Sequence, residues 1–289
     1  MDILEKILIQ KRKHLKEKEE LLPLEKILDL LKEKKPQNNC LLPLDRFHIV
    51  AEIKQASPSK GKIPWQFTLE ELVKSYESGG ASLISVLTEE DFFLGSTEIF
   101  EKVRSLTVLP LLRKDFINTE YQIYESALLG ADVVLLIAAI LEDEKLKRFL
   151  NLAHELGLKC LVECRDAEEI TTALNAGASI VGINNRNLRT FEIDLNRTKE
   201  LSHLIPEHCT LISESGIHTS EDAAYVASIG ADAILVGESC VRSHKPEEHM
   251  KALLQAGLQA KQSFLKENPS LKDERRCHGQ GKNLRNQIP

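Results

Sequence analysis

Four segments of the chain open in the same way: Gly80-Ala81-Ser82-Leu83-Ile84, Gly130-Ala131-Asp132-Val133-Val134, Gly177-Ala178-Ser179-Ile180-Val181 and Gly230-Ala231-Asp232-Ala233-Ile234. They recur at spacings of 50, 47 and 53 residues. A period of this length exceeds one strand–helix unit and accommodates two, so each repeat marks every second strand of a longer array. Short β-branched or Leu-rich runs predict strands near 49–54, 83–87, 109–113, 133–137, 160–164, 180–184, 210–214 and 233–237. Between them lie longer segments with helical spacing. Thr68 with Glu71, Thr119 with Gln122 and Asp166 with Glu169 stand as N-cap and capping-box partners, and the four repeat glycines sit where helices end. Eight alternating units in about 250 residues predict an α/β chain closed into a (β/α)8 TIM barrel rather than an open doubly wound sheet. No G-x-G-x-x-G opens the first strand–helix turn, which disfavours a dinucleotide fold.

Residues 1–45 precede the array and keep helical spacing at Ile3, Leu4, Ile7 and Leu8 and again at Leu24, Ile27, Leu28 and Leu31. The run Lys11–Glu20 reads as a solvated helix face. Residues 1–264 are expected to form one barrel domain that includes this helical extension, and the polar stretch 265–289 is expected to be disordered. The net charge of −6 gives no electrostatic basis for nucleic acid or an anionic membrane as partner. No apolar run is long enough to cross a bilayer, and the charged N-terminus lacks a signal-peptide core. The cysteines, Cys40, Cys160, Cys164, Cys209, Cys240 and Cys277, form no C-x-x-C pair. Free thiols in a reducing compartment, the cytoplasm, are expected.

Charge recurs at the ends of the odd strands. Glu52 and Lys54 end the first, Arg113, Lys114 and Asp115 the third, Glu163 the fifth and Glu214 the seventh. Inward residues of one barrel layer come from alternate strands, so Glu52 or Lys54, Lys114, Glu163 and Glu214 converge at the C-terminal face. One such residue reads as an ion pair at the barrel mouth. A cluster of three carboxylates and two lysines shifts pKa values in both directions, as acid–base chemistry near neutral pH requires. Ser215-Gly216 after the seventh strand and Gly237-Glu238-Ser239 after the eighth lie where these barrels bind phosphate through backbone N–H groups. The acidic Glu238 side chain is expected to point away from an anion there. Ser57 adds a hydroxyl after the first strand, and the polar loop 55–65 reads as a phosphate-facing lid. Asn184 offers a polar group inside the mouth and Arg186 suits a carboxylate; the stretch reads equally as an Asn-rich turn with a surface Arg. Trp65, Phe92, Phe93 and Phe116 lie near strand ends, as either an aromatic wall or packing.

These stretches resemble one known family. Ala51-Glu52-Ile53-Lys54 with Ser57-Pro58-Ser59, Leu111-Leu112-Arg113-Lys114-Asp115-Phe116, Leu161-Val162-Glu163, Gly182-Ile183-Asn184-Asn185-Arg186-Asn187-Leu188, Ser213-Glu214-Ser215-Gly216-Ile217 and Val236-Gly237-Glu238-Ser239 are similar, in order and spacing, to motifs of the indole-3-glycerol phosphate synthase family. The similarity covers residues 1–260, including the helical preface that caps the barrel mouth in that family. It implies a carboxy-lyase of tryptophan biosynthesis acting on 1-(2-carboxyphenylamino)-1-deoxyribulose 5-phosphate, a small phosphorylated substrate, without metal or organic cofactor. It further implies Lys114 as general acid, Glu163 as proton-transfer group in dehydration, Glu52 and Glu214 as partners of the lysines, and Lys54 as a substrate contact able to share the acid role. Asn184 would hold sugar hydroxyls and Arg186 the anthranilate carboxylate. Ser57, Ser215, Gly216, Gly237 and Glu238 match the phosphate site; Phe93, Phe116 and Leu135 match the aromatic pocket. Position 55 is Gln where many relatives carry a second basic residue, which removes one positive charge from the phosphate side. A monomer is expected, at most weakly associated with other enzymes of the pathway, and no fused second synthase domain follows the eighth unit. The competing readings are another phosphate-binding barrel, which need not carry the charged layer, and a catalytically silent barrel that binds a phosphorylated ligand.

Overall fold

The computed structural model describes residues 3–33, 42–187 and 190–269. Its first strand, β1 (His48–Ile53), is buried along its whole length. Successive residues of a strand face opposite sides. Ile49, Ala51 and Ile53 accordingly join a core beneath the helices, while Val50 joins a second, inner core. The other strands are β2 (Leu83–Leu87), β3 (Leu111–Lys114), β4 (Val133–Ile137), β5 (Lys159–Cys164), β6 (Ile180–Asn184), β7 (Thr210–Glu214) and β8 (Ala233–Val236). Strands apolar on both faces need cover on both sides, and closure of the sheet supplies the inner one. The eight pair in parallel, and β8 meets β1 from His48↔Ala233 to Ala51↔Val236, closing the barrel.

The helices are α1 (Ile3–Leu21) and α2 (Leu24–Lys32) in the preface, then α3 (Leu69–Ser78), α4 (Thr97–Leu106), α5 (Glu120–Leu129), α6 (Asp143–Glu155), α7 (Ala167–Asn175), α8 (Asn196–Ser202), α9 (Ser220–Ser228), a short α10 (Glu238–Arg242) and α11 (Pro246–Glu267). The expected capping box is complete at Thr68, and the Gln122 side chain reaches back to the Thr119 N–H. At Asp166 only half of it forms, because the Glu169 carboxylate turns to Arg165 instead. Among the described residues no helix is long and apolar enough to cross a membrane. The four described cysteines, Cys160, Cys164, Cys209 and Cys240, are buried free thiols.

The sequence repeat has a structural cause. Asp132 accepts the Leu111 N–H at 2.9 Å, and Asp232 accepts the Leu211 N–H at 2.9 Å. Each aspartate thus fixes the start of the preceding strand, half a barrel apart. Each also meets a cation, Arg104 at 3.0 Å and Lys261 at 2.7 Å. In the first repeat Ser82 meets the His48 ring at 2.9 Å.

The inner core stacks in layers. Val50, Leu112, Leu161 and Ile212 are apolar and buried inside the barrel. Two residues further along the same strands stand Glu52, Lys114, Glu163 and Glu214. Parallel pairing carries all four to one end of the barrel.

Several expectations need correction. The face Lys11–Glu20 is not wholly solvated: Lys11 is 4% exposed, paired with Asp115, and Leu15 is buried. Strand β3 begins at Leu111 rather than 109, since Pro110 has no N–H for the ladder and the Leu109 carbonyl accepts from Arg104. The loop 55–65 holds a small hairpin, Ala56–Ser57 against Gly61–Lys62. Helix α11 continues to Glu267 with Leu265 buried, so the packed chain passes the 264 boundary. The rest of the expected tail, 270–289, lies outside the described residues, as do Cys40, Cys277 and Leu188.

Candidate active site

One cavity opens at the C-terminal end of the barrel. Its lining includes all of Glu52, Lys54, Lys114, Glu163, Asn184 and Glu214, together with Ser57, Phe93, Phe116, Leu135, Arg186, Ser215, Gly216, Gly237 and Glu238. Residues spread over nearly two hundred positions therefore share one space.

Lys114 is the hub. Its Nζ donates to Glu214 Oε2 at 2.5 Å and to Glu163 Oε2 at 3.3 Å. Lys54 donates to Glu52 Oε1. Asn184 Nδ2 donates to Glu163 Oε1 at 3.0 Å, and Asn184 Oδ1 accepts the Arg186 N–H at 3.0 Å. Asn184 thus fixes the direction of the Glu163 carboxylate. Burial works against the Lys114 ammonium, but the charges of Glu214, Glu163 and Glu52 prevail and hold its pKa above the ordinary lysine value. Burial likewise works against ionised Glu52, but Lys54 and Lys114 outweigh it and keep its carboxyl below the usual range. Glu214 goes the other way. Burial pushes it up to about 7 against the pull of Lys114, and the nearby Glu163 charge adds to the rise. The pair therefore holds the ammonium of Lys114 firmly protonated beside a carboxyl whose charge burial disfavours.

The turn after β7 forms another part of the cavity lining. Ser215 has φ 66° and Gly216 φ 88°, both in the left-handed region. For serine that conformation costs on the order of 1 kcal/mol. Asn185, which the sequence reading did not single out, holds it in place: its Nδ2 donates to the carbonyls of Glu214 at 3.0 Å and Ser215 at 3.1 Å. Thr198 donates through N and Oγ1 to Asn185 Oδ1, completing a buried network. The second Asn of Asn184-Asn185 was the only sequence signal for it. Glu238 pairs with Arg242 at 3.0 Å along α10, so its carboxylate is engaged on its own helix.

Phe93 and Phe116 stand with ring centroids 5.9 Å apart and, with Leu135, form the apolar wall. Trp65 and Phe92 are not part of it. Trp65 Nε1 donates to the Lys54 carbonyl at 3.0 Å, and its ring packs on the outer core. Phe191, with φ 60°, lines the cavity instead, as do Ile3, Leu4 and Ile7 of α1. Helical spacing marks Ile3, Leu4 and Ile7 as an apolar face, whereas Phe191 carries no sequence signal and is revealed by the closed fold. Helix α1 is held over the mouth by Lys11, whose Nζ lies 2.6 Å from Asp115 Oδ1 and 2.8 Å from Oδ2. Among the described residues no group of three His, Cys, Asp or Glu side chains is arranged to hold a metal ion.

A family model described as indole-3-glycerol phosphate synthase matches residues 4–253. Relatives bearing that name include one from Thermoanaerobacter sp. (strain X514), 45% identical over 241 residues that make up 83% of this chain and 92% of the relative. Another, from Caldanaerobacter subterraneus subsp. tengcongensis, is 47% identical over 240 residues, 83% of this chain and 93% of its own. A third, from Dehalococcoides mccartyi (strain ATCC BAA-2266 / KCTC 15142 / 195), is 44% identical over 263 residues and is covered completely. Among solved structures, thiamine phosphate pyrophosphorylase from Pyrococcus furiosus superposes with TM-score 0.58 at 17% identity, over 76% of this chain and 99% of that one. The 3-hexulose-6-phosphate synthase from Salmonella typhimurium gives 0.59 at 16%, over 74% and 100%. These two show the barrel fold alone.

Proposed function

The chain belongs to the indole-3-glycerol phosphate synthase family, carboxy-lyases of tryptophan biosynthesis, and from that premise we propose how its strand-end residues divide the reaction. The substrate is 1-(2-carboxyphenylamino)-1-deoxyribulose 5-phosphate. The ring carbon that bears the carboxylate attacks the ribulose carbonyl carbon. As that bond forms, Lys114 protonates the carbonyl oxygen. The bond to the carboxylate then breaks, carbon dioxide leaves, and its electron pair returns to the ring. Finally the new hydroxyl departs as water and a proton is lost, with Glu163 handling the transfer.

The observation that carries this reading is the Lys114 ammonium bonded to both Glu214 and Glu163 inside one cavity. Glu214 and Glu52 orient Lys114 and Lys54 and stabilise cationic intermediates; Lys54 contacts the substrate and shares the acid role. Asn184 holds sugar hydroxyls once substrate competes for its amide, and Arg186 takes the anthranilate carboxylate. Ser57, Ser215, Gly216, Gly237 and the Glu238 N–H bind the phosphate. Phe93, Phe116 and Leu135 hold the aromatic ring. The reaction uses no metal or organic cofactor. The protein works as a cytoplasmic monomer, its barrel and helical preface forming one unit.

Incubation with the substrate and detection of indole fluorescence tests the activity, and no signal at micromolar enzyme overturns it. Lys114→Ala and Glu163→Gln are each expected to lower kcat by roughly 10²- to 10⁴-fold with the circular-dichroism spectrum unchanged. A near-wild-type kcat in either variant removes that residue from its role. Ser215→Ala is expected to raise KM more than it lowers kcat.

A further inference from the structure

We infer that Gly182 is a positioning residue for this reaction: by lacking a side chain it lets the Glu214 carboxylate lie against β6, from where Glu214 holds Lys114. The inference rests on the roles of Lys114 and Glu214 given above. Strands β6 and β7 run side by side with Gly182 opposite Ile212 and Asn184 opposite Glu214. A Cβ at position 182 would stand 2.1 Å from Glu214 Oε1 and 3.1 Å from its Cδ. The carboxylate therefore occupies the volume that any other residue at 182 would fill. Gly182 sits in regular strand with no positive φ, a conformation open to every L-residue. Backbone geometry thus gives no reason for glycine there, and a glycine inside a strand weakens it. The close approach of Glu214 is the compensating reason.

The geometry separates function from stability. The group in the way is the far end of a flexible side chain, together with Leu161 Cδ1 at 3.1 Å. An alanine at 182 is accommodated by swinging the Glu214 carboxylate aside by about 1 Å, a displacement large enough to cost about 10²-fold when it misplaces a reacting group. That motion either breaks the 2.5 Å bond to Lys114 or draws the ammonium along with it, away from Glu163 at 3.3 Å. A second of the three inward carboxylates, Glu52, is seated in the same manner. A Cβ on Gly237 would stand 2.8 Å from Glu52 Oε1 and 2.9 Å from Glu52 Cβ. Because Gly237 also belongs to the phosphate loop, Gly182 is the cleaner test.

Four proteins decide the matter: unmodified, Gly182→Ala, Glu214→Ala and the double variant, each measured for kcat, KM and thermal midpoint. Gly182→Ala is expected to lower kcat about 10²-fold with KM changed by no more than about threefold. Its thermal midpoint stays within a few degrees. In the Glu214→Ala background the same glycine change has almost no further effect, because no carboxylate remains to displace. Equal losses in both backgrounds, a near-wild-type kcat in Gly182→Ala, or failure of Gly182→Ala to fold would each overturn the inference. If Glu214→Ala itself keeps full activity, the role given to Glu214 falls; if only Glu214→Ala is slow, that role stands and the glycine seat falls.

Discussion

Glu214 stands between opposing pressures. Burial raises its pKa to about 7, while Lys114 at 2.5 Å pulls in the other direction. A carboxyl whose folded pKa lies above its unfolded one adds stability that is complete below the unfolded value, near 4.3, and is lost as pH rises through about 7. Glu214→Gln removes this dependence. Its thermal midpoint relative to the unmodified protein is therefore expected to climb between pH 5 and pH 8, and a difference that stays flat over this range would contradict the upward shift. Asp115 behaves oppositely. Burial disfavours its charge, but Lys11 and Arg113 hold the carboxyl far below the usual range. Its contribution is present above the unfolded carboxylate value and fades only as pH falls well below it.

At the scale of elements, α1 is the part that sequence pattern describes least well. Charged residues crowd its C-terminal half, yet Lys11 is buried between the helix and the end of β3. Removing one partner of a buried pair costs about 3–5 kcal/mol, because the other charge stays behind. Lys11→Ala is expected to loosen α1 by an amount of that order. Faster tryptic cleavage within residues 3–21 and a raised KM would report it, since Ile3, Leu4 and Ile7 line the cavity. Equal cleavage rates would show that Lys18 on Glu90, at 2.7 Å, and Tyr121 on the Leu22 carbonyl, at 3.0 Å, suffice to hold the helix. The β strands were more legible than this helix. A strand buried on both faces has a nearly continuous apolar run, so the charges at 52, 114, 163 and 214 stood out against it. A surface helix is charged by default, so one buried lysine among many exposed ones leaves no trace.

For the whole molecule, closure of the ring depends on groups far from the chemistry. Lys261 of α11 donates to the carbonyls of Gly230 and Ala231 and to Asp232, which in turn accepts the Leu211 N–H. The last helix is thereby fastened to the start of β8. Asp232→Asn leaves a buried ammonium short of its counter-ion and is expected to cost about 3–5 kcal/mol. The denaturation midpoint falls while KM is unchanged, because Asp232 lies at the barrel end opposite the cavity. A KM that rises in parallel with the loss of stability would mean that the two ends are coupled.

The barrel itself follows from sequence. A double-unit repeat and eight apolar runs leave few ways to bury both faces of every strand. The candidate site was legible to the extent that it lies on strand ends, because topology carries every C-terminal end to one side. Its fifteen expected residues stand around one cavity for that reason. What only the tertiary structure decided is which of these groups touch. Glu214 rather than Glu52 bonds Lys114, Asn184 turns to Glu163, and Asn185 fastens the Ser215 turn. Phe191 faces the cavity while Trp65 does not. Periodicity fixes the face on which a side chain stands, but partner choice depends on distances across the barrel of a few ångströms, set by strand stagger and by the absence of a side chain at positions such as Gly182.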